Sequence, residues 1–328
     1  MKKIGITGQN GFIGYHLYQT LKLSFEEFEV IEFKRFYFEN IEKLDNFVKQ
    51  CDVIVHLAAL NRHNDPQEIY DTNVALTNKL IEALNRTKAT PHILISSSTQ
   101  ENRDNPYGKS KRKARERLAE WANESGAIFT GMVIPNVYGP FGDPYYNSVV
   151  ATFCHQVARS ETPKIDVDGQ MKLIYVGELV HKIIQAIRNK DNTYKLELPH
   201  TAEARLSEIL CLLQYYKKVY QENGEFPKIN NDFEHKLFNT YRCYMDIPNY
   251  FPRKLTQHTD ERGAFVEIAR HGTAGQTSFS TTVPGITRGN HFHTRKVERF
   301  AVIKGKALIQ LRRIGTEEVH NFYLDGNE

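Results

Sequence analysis

Tyr107 and Lys111 stand four residues apart in Asn105-Pro106-Tyr107-Gly108-Lys109-Ser110-Lys111, so on a helix they share one face. A free phenol ionises only at a pKa of about 10. An ammonium beside it would lower that value and make the tyrosine a usable acid or base. The chemistry this suits is proton delivery to a carbonyl oxygen whose carbon accepts hydride. The apolar run His92-Ile93-Leu94-Ile95 ends in Ser96-Ser97-Ser98 just upstream. A hydroxyl at that strand end would hydrogen-bond the same oxygen and orient it. By position, either Ser97 or Ser98 could serve.

A second constellation lies far downstream. His291 and His293 would project from one face of a strand, which is how two imidazoles reach one ion. Glu298 completes a mixed nitrogen and oxygen set suited to zinc or another divalent metal.

The elements that must position the tyrosine begin at the N-terminus. Ile4 and Ile6 mark a short strand that runs into Gly8, Gly11 and Gly14, and a helical run covers Tyr15–Leu23. Gly8 permits a tight turn, Gly11 lets the backbone approach a pyrophosphate, and Gly14 lets helix and strand pack closely. Unsatisfied N–H groups at the helix start, with its dipole, would hold the phosphates. Phe28–Phe33 predicts the second strand, ending where an adenosine ribose is recognised. Glu32 there could accept from a ribose 2′-hydroxyl and select NAD. Lys34 and Arg35 could instead neutralise a 2′-phosphate, and the basic pair tips the reading toward NADP. Asp52–Ala59 is a near-continuous apolar strand of the kind a buried parallel sheet uses.

The bulk composition narrows the classes. At 328 residues, 40% hydrophobic and 25% charged, the chain reads as an ordinary globular protein. A net charge of +4 without a Lys/Arg block suits an anionic small ligand and speaks against nucleic acid. No run approaches the roughly 18 apolar residues a membrane span needs, and no signal-peptide region follows Met1-Lys2-Lys3, so the cytoplasm is the expected location. Cys51, Cys154, Cys211 and Cys243 are widely spaced and read as buried thiols in a reducing compartment.

Its glycine spacing, His56-Leu57-Ala58-Ala59, the serine-ended strand and the Tyr-x-x-x-Lys segment make the N-terminal part resemble the short-chain dehydrogenase/reductase superfamily. The likeness is to its extended branch, which works on nucleotide sugars. The resemblance implies that Gly8, Asn10, Gly11, Phe12, Ile13 and Gly14 cradle the cofactor phosphates, with Leu57 and Ala58 beneath adenine and ribose. It implies catalytic roles for Ser98 (rather than Ser97), Tyr107 and Lys111, the last two also touching the cofactor. Asn73 would organise the active-site water, and Asn136 and Asn147 would face the substrate. Only eight residues separate Ser98 from Tyr107, so the loop common there in the family is cut short.

Helical patterning fades near Ile247-Pro248-Asn249-Tyr250-Phe251-Pro252, dividing the chain into residues 1–246 and 247–328. Short β-like runs follow at Phe265–Ile268, Thr277–Thr282, Phe300–Ile303, Ala307–Leu311 and Glu318–Tyr323. Gly285-x5-His291-x-His293-x4-Glu298-x6-Gly305 resembles the first cupin motif. Asp260-Glu261-Arg262-Gly263-Ala264-Phe265 resembles a cupin sugar-epimerase segment whose arginine meets substrate diphosphate. No second cupin motif precedes Glu328, so a truncated barrel is expected.

The expected fold is therefore α/β: a Rossmann-type, doubly wound parallel sheet followed by an incomplete cupin β-barrel. This pairing resembles bifunctional capsule and O-antigen enzymes. The implied substrate is a UDP-linked 4-keto-6-deoxy-N-acetylhexosamine. The cupin part would epimerise C3, and the reductase part would reduce the C4 ketone with NADPH, toward UDP-N-acetyl-L-fucosamine, in a homodimer. The alternative is an epimerase or dehydratase of the same branch that retains NAD.

Overall fold

β1 (Lys2–Thr7) opens the chain with Ile4 and Ile6 fully buried, and the first compact unit is built outward from it. The computed structural model describes residues 1–255, 257–260, 263–266, 269, 287, 290–294 and 297–327. It falls into two compact units, Met1–Thr152 with Val167–Leu206, and Phe153–Asp166 with Ser207–Glu328.

In the first unit, α1 (Phe12–Leu23) returns the chain to β2 (Phe28–Ile31), and α2 (Ile41–Gln50) carries it across to β3 (Val53–His56). Then α3 (Pro66–Thr87), β4 (His92–Ser98), α4 (Pro106–Ser125) and β5 (Phe129–Ile134) step away from β1. Further on come β6 (Asn136–Tyr138), α5 (Val149–Ala158, of which Phe153 onward belongs to the second unit), β7 (Gln170–Tyr175), α6 (Val176–Asn189), β8 (Thr193–Glu197) and β9 (Ala202–Arg205). The main sheet runs β2-β1-β3-β4-β5-β8, and every pair is parallel. The chain leaves β1 in one direction for β2 and resumes on its other side with β3. That reversal opens a crevice beyond the carboxyl ends of β1 and β3, the place where open α/β sheets bind ligands.

Both faces of the sheet are covered. On one, Leu17 and Leu21 of α1 and Leu179, Val180, Ile183 and Ile187 of α6 pack over Ile4, Ile6, Val53, Val55 and Leu94. On the other, Leu44, Phe47 and Val48 of α2, Leu80 and Leu84 of α3, and Leu118 and Trp121 of α4 cover Ile54, Ile93 and Ile95. Burial on both faces explains why these strands are continuously apolar instead of alternating. The helix starts are set locally. Asn40, Asp65 and Asn105 each accept a backbone N–H of the first turn, and Pro66 and Pro106 follow the last two caps.

In the second unit, α7 (Leu206–Tyr216) runs into a π-helical turn over Lys217–Glu222, and α8 (Asp232–Arg242) follows. Tyr216, Tyr220, Phe238 and Tyr241 are buried together, and the Tyr241 hydroxyl donates to Gln221 Oε1 at 2.5 Å. After the short helix α9 (Ile247–Tyr250), the strands pair as two antiparallel hairpins, β10 (Gln257–Asp260) with β11 (Gly263–Val266) and β12 (Lys306–Arg312) with β13 (Val319–Asp325). The described residues show no closed barrel. Phe300–Ile303, expected as a strand, is irregular, and Phe300 and Ile303 are exposed, with no sheet partner among the described residues. Thr277–Thr282 lies outside the described residues.

All four cysteines are free, but Cys211 is exposed, against the expectation of burial. It sits between the inward-facing Ile209 and Leu213 of α7, on the opposite side of the helix. No helix among the described residues is long and apolar enough to cross a membrane.

Candidate active site

The crevice starts at the glycine turn. Gly8 takes φ +78°, and a side chain on it would lie 2.8 Å from the backbone nitrogen of Ala58 in the loop after β3. A Cβ on Gly14 would overlap the Gly8 carbonyl oxygen and lie 2.7 Å from the Gln9 Cα. These contacts force α1 to begin directly against the end of β1. Gly11 caps α1 without a side-chain hydrogen bond, so no side chain occupies the helix start where Phe12, Ile13 and Gly14 present their N–H groups. The Gln9 side-chain oxygen beside Asn10 is buried without a partner among the described residues. A bare helix N-terminus fits a dinucleotide diphosphate.

β3 supplies the next wall. The Thr7 hydroxyl and His56 Nδ1 are 2.8 Å apart, and the Ala58 N–H reaches Thr7 Oγ1 at 3.4 Å. Burial holds His56 down to about 3, so its imidazole is neutral. Leu57 and Ala58, half-buried, lie in the loop that leaves this strand. At the end of β2 the geometry is different. Lys34 pairs with Glu32 at 3.3 Å, and Lys34 and Arg35 are both exposed.

β4 and α4 bring the reactive hydroxyls together. Ser97 is buried and donates to Glu101 at 2.6 Å, whereas the Ser98 hydroxyl lies on the Tyr107 side and acts against the rise in its pKa. Alternation along the strand separates the two serines. By the same alternation Ser96 shares the Ser98 side, and Lys111 Nζ donates to Ser96 Oγ at 3.2 Å. Asn105 caps α4 by accepting from the Gly108 N–H at 2.7 Å, which sets Tyr107 in the helix's first turn.

The electrostatics differ from the sequence expectation. Lys111 was expected to lower the Tyr107 pKa. Burial instead pushes Tyr107 up to about 12, with Ser98 opposing the rise and Tyr146 adding to it. Burial also pushes Lys111 down to about 8. Desolvation disfavours the charged form of each group and is the leading cause of both shifts.

Asn73 is also buried, and its amide is fully engaged. Its Oδ1 accepts from the Leu60 N–H at 2.6 Å, and its Nδ2 donates to Leu60 O and Ser110 Oγ, both at 3.0 Å. It ties the loop after β3 to α4. Asn136 is exposed on β6 and donates to Lys172 O at 3.2 Å, and Asn147 is exposed in the turn before α5. Arg262 lies outside the described residues. In the second unit, the His291, His293 and Glu298 donor atoms all lie within 4.8 Å of one another, with His293 Nε2 at 3.1 Å from Glu298 Oε2. The segment carrying the two histidines is not a strand, so their convergence does not come from strand alternation.

Sequence reasoning missed Ser96, Tyr146 and the Glu101–Arg115 pair. Ser96 was within reach of a period-two argument from Ser98. Tyr146, whose hydroxyl accepts from the Asn61 N–H at 3.3 Å, carries no spacing signal, because a separate loop brings it over the site.

Comparison with known proteins adds to this geometry. Residues 4–197 match the NAD dependent epimerase/dehydratase family, and residues 258–328 match the polysaccharide biosynthesis C-terminal domain. The chain is similar to UDP-2-acetamido-2,6-beta-L-arabino-hexul-4-ose reductase of Pseudomonas aeruginosa, at 31% identity over 99% of this chain and 87% of that protein. It is similar in structure to the capsular polysaccharide assembling protein CapF from Staphylococcus aureus, with a TM-score of 0.71 and 33% identity, covering 99% of this chain and 88% of that one. RMD from Pseudomonas aeruginosa, solved with NADPH, shares the fold at a TM-score of 0.64 and 18% identity, over 74% of this chain and 97% of that one.

Proposed function

This chain belongs to the NAD dependent epimerase/dehydratase family, and on that premise we propose that it is an NADPH-dependent UDP-sugar 4-ketoreductase. The observation that carries this reading is the placement of Ser98 at the carboxyl end of β4, with Tyr107 in the first turn of α4 and Lys111 one turn further on reaching Ser96, in the sheet that also carries the bare glycine turn. Gly8 to Gly14 would hold the diphosphate, Leu57 and Ala58 would line the adenosine, and Lys34 and Arg35 would meet the 2′-phosphate. When bound, NADPH supplies hydride to the ketone carbon. Tyr107, held protonated by burial, gives its proton to the oxygen, and Ser98 donates a hydrogen bond to that same oxygen. Lys111 keeps a positive charge nearby at neutral pH and steadies the phenolate left behind. Asn73 acts as a strut that keeps α4 in register with the loop after β3.

The proposed substrate is a UDP-2-acetamido-4-keto-6-deoxyhexose. The similar reductase's name and the match to a polysaccharide biosynthesis domain support this choice, along with a role in making capsule or O-antigen. Asn136 and Asn147 would face the sugar, and Arg262 its diphosphate. We assign residues 247–328 to a separate C3-epimerising domain. His291, His293 and Glu298 are spaced and typed to hold a divalent ion such as zinc, which would polarise the ketone and acidify the neighbouring C–H. A homodimer is part of the same reading.

The test is to supply the 4-keto UDP-sugar and follow nicotinamide absorbance. One NADPH should be consumed per sugar, and none with Tyr107→Phe. Turnover of the UDP-sugar without net cofactor loss would point to the NAD-retaining epimerase instead.

A further inference from the structure

The connection between Ser98 and Tyr107 is short, and the way it is built bears on their alignment. Residues Thr99–Asn102 form one tight helical turn. Its Gln100 N–H donates to Ser98 Oγ at 3.2 Å, so the turn holds that hydroxyl through one of its lone pairs. The turn then presses on the helix that carries the tyrosine. A Cβ on Gly108 would overlap the Gln100 carbonyl oxygen and come within 3.3 Å of Arg103 O. Small movements of this turn would therefore shift both hydroxyls.

Glu101, in the middle of the turn, is 2% exposed, and Arg115 on α4 is 3% exposed. Arg115 Nε and Nη2 each reach the Glu101 carboxylate at 3.1 Å, Ser97 of β4 donates to it at 2.6 Å, and Lys195 of β8 lies at 3.4 Å. Arg115 is fixed in turn by the Tyr194 carbonyl at 3.3 Å and the Tyr194 ring at 4.6 Å. Its stem fills the space left by Gly131 on β5, where a Cβ would lie 2.7 Å from Arg115 Cδ. One carboxylate thus ties the turn to β4, α4 and β8. Burying such a pair gains little stability over apolar residues of similar size, so what it adds is geometric definition.

We propose that the Glu101–Arg115 pair is a positioning device for ketone reduction, clamping the Thr99–Asn102 turn so that Ser98 and Tyr107 stay aligned on one oxygen. Neither residue touches the reacting atoms. The proposal rests on the reductase reading above, and its test separates the two.

The informative variant is the apolar double substitution Glu101→Leu/Arg115→Met, which removes the clamp while leaving the volume filled. With the 4-keto UDP-sugar and NADPH, kcat should fall on the order of 10²-fold, the loss that a slight misplacement of catalytic groups produces. KM for NADPH should stay within about twofold, because uniform cofactor binding is untouched. Arg115→Lys, which keeps a cation on the carboxylate, should recover most of the rate. Amide exchange at Gln100 and Gly108 should accelerate in the double variant, with exchange in Gly8–Gly14 unchanged. A folded double variant with the parental kcat, or one whose kcat falls only in step with NADPH affinity, would overturn the proposal. If the parent protein itself does not oxidise NADPH with this sugar, the reductase reading fails. The exchange measurement, which needs no substrate, then decides the clamp: unaltered protection at Gln100 and Gly108 refutes it.

Discussion

The two clusters of chemically able side chains in this molecule are held in opposite ways. Ser98, Tyr107 and Lys111 lie at the carboxyl end of β4, inside a sheet packed on both faces, with Lys111 buried and Tyr107 half-buried. His291, His293 and Glu298 lie on irregular chain, the two histidines exposed and Glu298 half-buried. In the first cluster, burial changes the groups themselves, raising a phenol and lowering an ammonium. The second is close to solvent and is defined by donor type and proximity alone. A scaffolded site gets its reactivity from its surroundings, whereas an exposed one must get it from whatever it binds.

That contrast can be broken most sharply at the phenol. Tyr107→Phe should cost ketone reduction about 10³-fold, in the range expected for a lost general acid, with NADPH binding retained. A variant that keeps its rate would remove the distinction between the two clusters. The scaffold comes next. Ile183→Ala opens the fully buried α6 face and should cost about 3 kcal/mol in urea unfolding.

The pH dependence follows from Lys111, held at about 8 in the fold against an ordinary 10.5. Between these values the unfolded chain keeps a proton that the folded one has shed, so the buried lysine penalises folding less as pH rises. Relative to Lys111→Met, the wild-type protein should gain about 2–3 kcal/mol across that window, read by denaturant titrations at several pH values. The smallest effect belongs to the exposed cluster. His293→Ala should leave stability within about 0.5 kcal/mol and ketone reduction unaltered, while abolishing uptake of zinc measured by calorimetry.

The same contrast explains what could be read from the sequence. The run His92–Ser98 coincides with β4, and the Tyr107–Lys111 spacing falls on one helix, because hydrophobic period and capping residues are local signals. The Glu101–Arg115 pair was not legible: its members are 14 residues apart and meet only through the packing of a turn on a helix. The direction of the Tyr107 shift is not legible in the sequence, because proximity to a cation follows from spacing but desolvation depends on what covers the site. Strand alternation does not account for His291 and His293, whose segment is irregular, and Phe300–Ile303 is irregular despite its β-like composition, with no pairing partner among the described residues.

The central claim is hydride transfer to a sugar ketone with proton delivery by Tyr107. The most direct measurement supplies the 4-keto UDP-sugar with NADPH carrying deuterium at the transferable nicotinamide position. The account predicts one deuterium on sugar C4 for each cofactor oxidised. A product sugar formed without deuterium, with the cofactor still reduced, would contradict it.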